Sequence, residues 1–223
     1  MLVQIRHILG DTELKNVNEL LETAKYRDGH LSAGMVAKQV KNNQEVSDEN
    51  VISTLNNIVM NNVVRHPTYQ QAALPHRIAA PFYARYETGM EYGEHIDDPV
   101  MGAANERYRS DLAMTIFLNS PEEYEGGELI VKTPYDEQSI KYNAGDAVLY
   151  PATMHHRVAK IEKGVRLVAV TWIQSLVRDN EQRDLLYQLS KTREKMLRTD
   201  PTSEDTKRID NTYVNLVRMW SEL

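Results

Sequence analysis

The chain contains no cysteine among its 223 residues. This excludes disulfide bonds and thiolate metal ligands. Histidine, aspartate and glutamate are therefore the side chains left to bind a metal ion.

The chain also lacks an excess of positive charge and a long apolar run. Lys and Arg number 26 against 32 Asp and Glu, so the net charge is −6 and no basic tract suggests nucleic-acid binding. The segment 1–10 is interrupted by Gln4, Arg6 and His7 and is typical of neither a signal peptide nor a membrane span. We expect a cytoplasmic protein with no nucleic-acid or membrane partner.

Three regions differ in their hydrophobic pattern: 1–76, 77–178 and 179–223. The first is predicted to be a helical region packed on a core. Asp11 is expected to cap one helix and Ser47 or Asp48 a second, which should end just before Pro67. The apolar faces of these two helices are predicted to be Leu14, Val17, Leu21 and Ala24, then Val51, Ile52, Leu55, Ile58, Val59 and Val63.

The middle region has short segments rich in β-branched and aromatic residues, separated by turn signals. Many short strands at this spacing favour an antiparallel sandwich or barrel, and a double-sheet jelly roll fits the count. The predicted strands are Ala79–Tyr86, Leu112–Leu118, Glu128–Lys132, Ser139–Tyr142, Ala147–Tyr150 and Val165–Ile173. Lys163-Gly164 is interpreted as the turn before the last strand.

The last region is predicted to be a helical hairpin. Leu185, Leu189 and Met196 are expected on one stripe, and Ser203 is expected to cap the final helix. The apolar face of that helix is predicted to be Ile209, Tyr213, Leu216, Val217 and Trp220. The hairpin either packs over the sheet alone or also forms a homodimer surface.

His95 and Asp97 are two residues apart, so on a strand they would point to the same face. Two histidines and one carboxylate can occupy one face of a non-haem iron. The third ligand is ambiguous because His155 and His156 are adjacent and would face opposite sides of a strand. Arg166 shares a face with apolar residues, where an arginine is costly unless it meets an anion. The residues alone also allow a surface His-Asp pair and a rim salt bridge.

Taken together, these residues resemble the prolyl/lysyl hydroxylase-like branch of the Fe(II)/2-oxoglutarate dioxygenases. That pattern is HxD, a distal His, and Arg or Lys ten residues later, which selects His156 over His155. Flanking segments also match: Arg85-Tyr86-Glu87-x-Gly89, Arg109-Ser110-Asp111-Leu112, Tyr124-Glu125-Gly126-Gly127-Glu128-Leu129 and Gly145-Asp146-x-x-x-Tyr150-Pro151. Near the N-terminus, Asp28-Gly29, Ala33-Gly34 and Lys41-Asn42-Asn43 are similar to bacterial PKHD-type hydroxylases, sometimes described as iron-uptake-associated.

The resemblance implies a double-stranded β-helix with an N-terminal helical region and a C-terminal helical extension. It implies Fe(II), 2-oxoglutarate and O2 as cofactors, with ascorbate as reductant. His95, Asp97 and His156 would be the metal ligands, and Arg166 and Tyr86 would bind the C5 carboxylate of 2-oxoglutarate.

The expected reaction is hydroxylation of a peptidyl residue, with proline one candidate, and release of succinate and CO2. Tyr92, Asn105, Arg107 and Arg109 are candidate substrate contacts, and segment 98–110 is either a lid or an ordinary surface loop. A free amino acid or small metabolite as substrate, a noncatalytic metal-dependent binding module and a zinc or manganese cupin enzyme stay open as alternatives.

Overall fold

A computed structural model describes residues 1–32, 34 and 37–223. Ala33, part of one of the family motifs, lies outside the described residues. The helices are α1 Asp11–Thr23, α2 Glu49–Val63, α3 Pro67–Ala73, α4 Asn180–Thr199 and α5 Glu204–Trp220. The strands are β1 Val3–Ile5, β2 Tyr26–Asp28, β3 Lys41–Asn42, β4 Gln44–Val46, β5 Pro75–Ile78, β6 Phe82–Glu87, β7 Glu91–His95, β8 Val100–Met101, β9 Tyr108–Arg109, β10 Leu112–Phe117, β11 Tyr124–Gly126, β12 Leu129–Lys132, β13 Glu137–Ile140, β14 Ala147–Pro151, β15 His156–Val158 and β16 Ile161–Ser175.

Two antiparallel sheets form the centre of the fold. The major sheet runs β1-β14-β10-β16-β6-β4-β2, with β11 and β5 also paired to β16. The minor sheet runs β13-β12-β15-β7-β3, and β8 and β9 form a separate hairpin. Side chains of both sheets, such as Ala113 and Val131, share one buried cluster, so the sheets pack face to face.

Helices cover the other face of the major sheet. Val17 of α1 and Leu55 of α2 belong to a second buried cluster with Met114 and Leu149 of the sheet. The major sheet is therefore buried on both faces, and all six residues of β10 are buried. This explains why β10 reads as a continuous apolar run instead of an alternating one.

The helix starts differ in detail from the sequence predictions. Asp11 is the first residue of α1, and the N-cap is Gly10, so the predicted Asp11 cap is wrong. Asp48 caps α2 through its side chain, which accepts hydrogen bonds from the backbone N–H groups of Asn50 and Val51. Pro67 does not simply follow α2 but opens α3, where a residue without a donor N–H is well tolerated.

The region 1–76 contributes strands as well as helices. β1 pairs with β14, and β4 pairs with β6 of the major sheet. β3 pairs with β7 at the edge of the minor sheet. The N-terminal region thus contributes strands to both sheets, which the helical interpretation of 1–76 did not predict.

The predicted turn at Lys163-Gly164 is wrong. β16 runs without interruption from Ile161 to Ser175 and passes through both residues. Gly164 has φ +80, and a Cβ there would lie 2.3 Å from the carbonyl oxygen of Glu123. Glycine is therefore needed where β11 pairs closely with β16, with Tyr124 opposite Gly164, and not because the chain reverses.

The C-terminal helices form the predicted hairpin, with Asp179 and Ser203 as side-chain caps. Leu186, and not Leu185, is the buried leucine of α4, because Leu185 points to solvent. Leu186 packs with Leu74 and Val177 against the predicted apolar face of α5. Among the described residues, no helix is long and apolar enough to cross a membrane.

Candidate metal centre

Three candidate ligands converge where two strands of the minor sheet meet. His95 is the last residue of β7, His156 is the first of β15, and the two are direct cross-strand partners. Asp97 follows β7 by two residues, outside the strand, where the chain turns towards the imidazoles. One ligand atom from each side chain lies within 4.8 Å of the others. Asp97 Oδ1 is 3.7 Å from His156 Nε2 and 4.0 Å from His95 Nε2.

Backbone carbonyls fix the orientation of both imidazoles. His95 Nδ1 lies 2.8 Å from the carbonyl oxygen of Gly93, and His156 Nδ1 lies 3.0 Å from that of Met154. A carbonyl only accepts, so each Nδ1 donates its proton and each Nε2 is the nitrogen that faces Asp97. Such hydrogen bonds set the tautomer of metal-binding histidines.

Burial shapes the protonation of this cluster. Burial, together with the neighbouring His156, lowers the pKa of His95 to about 3, so this imidazole stays neutral at physiological pH. Burial raises the pKa of Asp97, and His156 partly opposes that rise. The buried Oδ2 of Asp97 has no hydrogen-bond partner among the described residues. A carboxylate in this position gains most from a cation.

The adjacent histidines point in opposite directions. His156 is buried against Asp97, whereas the side chain of His155 is 53% exposed and its Nδ1 lies 3.5 Å from Glu94 on the surface. The structure therefore brings His156, and not His155, to the cluster.

Arg166 lies on β16, opposite Tyr86 of β6. Its guanidinium carbon is 5.1 Å from the centroid of the Tyr86 ring and 5.8 Å from that of Phe117. The side chain is only 1% exposed, and its Nε has no hydrogen-bond partner among the described residues. A buried guanidinium that has no carboxylate partner among the described residues can pair with the carboxylate of a ligand.

One cavity of about 640 Å³ is lined by His95, Asp97, His156, Arg166 and Tyr86. That volume is within the range of ligand pockets, roughly 300–1,000 Å³. Burial raises the pKa of Tyr86 to about 12, so its hydroxyl keeps its proton and can donate to an anion beside Arg166. Small and apolar residues line another part of the same cavity: Ile78, Ala79, Ala80, Phe82, Ile96, Val100, Met101, Val170 and Trp172.

The candidate substrate contacts separate into two groups. Tyr92 lines the cavity beside His95. Asn105 and Arg107 are exposed and outside the cavity lining, although the β8–β9 hairpin that carries them closes one side of it. Arg109 is engaged elsewhere: its Nε lies 2.6 Å from Asp111, and its Nη1 lies 3.3 Å from Glu222. The structure thus brings only Tyr92 of the four to the candidate centre.

Sequence reasoning missed two charged residues of the cavity wall. Lys41 and Glu45 are buried, and Lys41 Nζ lies 2.6 Å from Glu45 Oε1. Charged residues near polar neighbours usually indicate a solvated face. The available signal was Lys41-Asn42-Asn43, which the family resemblance included without assigning a role.

Comparisons with known proteins agree with this geometry. Residues 81–174 match the 2OG-Fe(II) oxygenase superfamily, and residues 180–222 match the PKHD-type hydroxylase C-terminal domain. A PKHD-type hydroxylase of Thioalkalivibrio sulfidiphilus is 44% identical over the full length of both chains. The chain belongs to the PKHD-type hydroxylases. Another family member, from Thermosynechococcus vestitus, is 40% identical, again over the full length of both chains.

Solved structures share the fold. A Pseudomonas putida prolyl-4-hydroxylase superposes with a TM-score of 0.54 at 14% identity, covering 78% of this chain and 92% of that one. A Trichoplax adhaerens prolyl hydroxylase, solved with a hypoxia inducible factor oxygen degradation domain peptide fragment, gives 0.55 at 17% identity, covering 82% and 86%. The predicted jelly roll is confirmed. As a member of this family, the PKHD-type chain is a 2-oxoglutarate-dependent dioxygenase that uses Fe(II) and O2.

Proposed function

We propose that the protein hydroxylates a residue within a peptide or protein, with prolyl as the first candidate, and that His95, Asp97 and His156 hold the iron. The convergence of these three side chains with the unpaired Arg166 in one cavity carries the proposal. Asp97 Oδ2 and Arg166 Nε have no partner among the described residues, and Fe(II) and 2-oxoglutarate would supply one to each side chain.

The donor set fits Fe(II) on chemical grounds. Two imidazoles, each with Nδ1 held by a backbone carbonyl, and one carboxylate are the ligand types of non-haem Fe(II) oxygenases. The unpaired Oδ2 of Asp97 is the buried polar atom that a cation would stabilise. When bound, Fe(II) supplies the oxidative decarboxylation of 2-oxoglutarate to succinate and CO2 that is coupled to hydroxylation.

Arg166 and Tyr86 form the other end of the 2-oxoglutarate site. Arg166 offers a planar cation, and the protonated Tyr86 hydroxyl offers a further donor to the C5 carboxylate. The aromatic rings around Arg166 exclude water, which strengthens this pairing. These two residues bind and orient the cosubstrate.

Two observations favour a peptidyl substrate over a free amino acid. Part of the cavity wall is apolar, and the exposed side chains of Phe82, Ile96 and Val100 extend this apolar surface to the mouth of the cavity. Such a surface suits side chains on either side of the modified residue. The Trichoplax prolyl hydroxylase of the same fold is seen with a peptide fragment.

The experiment incubates the purified protein with Fe(II), 2-oxoglutarate and ascorbate, the proposed reductant. A library of proline-containing peptides is the first substrate arm, and a mixture of free amino acids is the second. We expect succinate together with the gain of one oxygen on a peptide, detected by mass spectrometry. The Asp97→Ala variant is the control and should give neither product.

Two outcomes contradict the proposal in different ways. If only free amino acids gain oxygen, the proposed peptidyl substrate is wrong, but the proposed hydroxylation reaction still holds. Iron and 2-oxoglutarate bound without succinate in either arm would indicate a noncatalytic binding module.

A further inference from the structure

The ring of Tyr92 lies flat against that of His95. The two ring centroids are 3.7 Å apart, and the ring planes differ by 13°. Tyr92 also lies on β7, three residues before His95. The contact therefore fixes the plane of the imidazole from its face.

The edge of the same imidazole is fixed by a different group. Gly93 accepts the Nδ1–H of His95 through its carbonyl and donates its own N–H to the carbonyl of Val40, at 2.8 Å in each case. A Cβ on Gly93 would lie 2.8 Å from the side chain of Val40, so the two backbones can approach only because residue 93 is glycine. The N-terminal region thus reaches the backbone that orients His95.

β3 places Lys41 directly opposite Tyr92. Lys41 Nζ lies 5.5 Å from the centroid of the Tyr92 ring, within range of a cation–π contact. The same ammonium is held at 2.6 Å by Glu45 of β4. Because Lys41 and Glu45 are both buried, the pair cannot relax into solvent. The Tyr92 ring is therefore packed between a metal-ligand candidate and a fixed ion pair.

We propose that Tyr92 is a positioning residue for His95, and that the Lys41–Glu45 pair holds Tyr92 in place. This inference rests on the proposed role of His95 as an iron ligand. It gives Tyr92 a task that does not require contact with the substrate. It also gives the strands of the N-terminal region a role in preorganising the metal centre.

The test measures the affinity of the metal-free protein for Fe(II) by anaerobic calorimetric titration. Tyr92→Leu removes the stacked ring and should weaken Fe(II) binding roughly 10-fold or more, as expected when an outer-shell partner is lost. Tyr92→Phe keeps the ring and should bind Fe(II) as the wild type does. Lys41→Met combined with Glu45→Gln keeps the volume without the charges and should produce a smaller loss than Tyr92→Leu.

Tyr142→Leu is the matched control. Tyr142 packs edge-on against Phe117, with ring centroids 5.7 Å apart, and does not line the cavity. Its loss should lower the unfolding temperature without changing Fe(II) affinity. If Tyr92→Leu does not fold, Tyr92→Met serves as the variant without a ring.

The possible results separate this inference from the proposed function. Wild-type protein that does not bind Fe(II) would refute the metal site itself. Wild-type binding with an unchanged Tyr92→Leu affinity, or equal losses in Tyr92→Phe and Tyr92→Leu, would overturn the positioning role alone. Unchanged affinity in the Lys41/Glu45 double variant would remove the ion pair from the proposal.

Discussion

Two arginines of this protein are equally buried, each about 1% exposed, yet their surroundings differ. At the start of α4, Arg183 donates through Nη1 to the carbonyl oxygens of Val177 at 2.5 Å and Arg178 at 3.3 Å, and through Nη2 to Asn180. The Nε of both arginines has no partner among the described residues, but in the cavity Arg166 lies against aromatic rings and not against backbone carbonyls.

The difference distinguishes a structural cation from a binding one. Arg183 links the end of the core to the first turn of α4, and its bonds offset part of the cost of its burial. That burial still lowers its pKa to about 10. Among the described residues, Arg166 makes no comparable set of hydrogen bonds, so its burial costs free energy unless it binds an anion.

The largest expected effect compares the two adjacent histidines. His156→Ala should weaken Fe(II) binding by more than about 100-fold, because losing a ligand costs more than losing an outer-shell partner. His155→Ala should leave the affinity unchanged, since its ring lies on the surface beside Glu94. Anaerobic Fe(II) titration measures both. Equal effects, or the reverse order, would show that the ligand assignment is wrong.

The next effect concerns the cavity arginine. Arg166→Met should raise the dissociation constant of 2-oxoglutarate by roughly 30-fold or more, because losing a buried charge pair costs about 2–5 kcal/mol. Its free energy of unfolding without ligands should not fall, since the variant removes an uncompensated buried charge. Calorimetry and urea denaturation provide the two readouts. Lower stability with unchanged 2-oxoglutarate affinity would make Arg166 structural.

Arg183→Met is the converse test. It should lower the free energy of unfolding by about 1–3 kcal/mol, because the buried carbonyl of Val177 would lose its donor. The affinity for 2-oxoglutarate should stay the same. A change in that affinity of the size expected for Arg166→Met would erase the distinction between the two arginines.

The smallest effect is the pH dependence contributed by His95. Its pKa in the folded, metal-free protein is about 3, below the usual value of 6.5. As pH falls below 6.5, His95 binds a proton in the unfolded chain but not in the folded protein. The free energy of unfolding therefore falls progressively down to about pH 3. Between pH 6.5 and 5 this loss is at most about 2 kcal/mol.

The raised pKa of Asp97 acts with the opposite sign, so the comparison needs a variant that lacks only His95. His95→Gln should lose less stability than the wild type over this pH range. Parallel denaturation curves of the two proteins at pH 6.5 and pH 5 measure the difference. Identical losses would show that His95 titrates normally.

The sequence alone predicted the features that arise from local chemistry. The Asp48 and Ser203 caps and the glycine-bounded strands follow from residue type and short spacing. The ten-residue spacing from His156 to Arg166 matches the family pattern. That resemblance, and not local chemistry, predicted that residues distant in sequence meet in one cavity.

The features it missed depend on contacts distant in sequence. Gly164 resembles a turn residue, but its positive φ accommodates close pairing with β11. Arg109 resembles a site residue, but Asp111 and Glu222 engage it, and Glu222 is more than a hundred positions away. The burial of Lys41 and Glu45 was not predicted, because burial of a charged pair depends on the strands that enclose it.

The decisive experiment on the metal centre is anaerobic addition of Fe(II) and 2-oxoglutarate to the protein, followed by visible absorption. Chelation of Fe(II) by a 2-oxo acid produces a charge-transfer band that neither component gives alone. We expect this band in the wild type, its loss in Asp97→Ala, and its appearance only at higher 2-oxoglutarate concentration in Arg166→Met. A wild type without the band, or an Asp97→Ala variant that keeps it at full strength, would contradict the central claim.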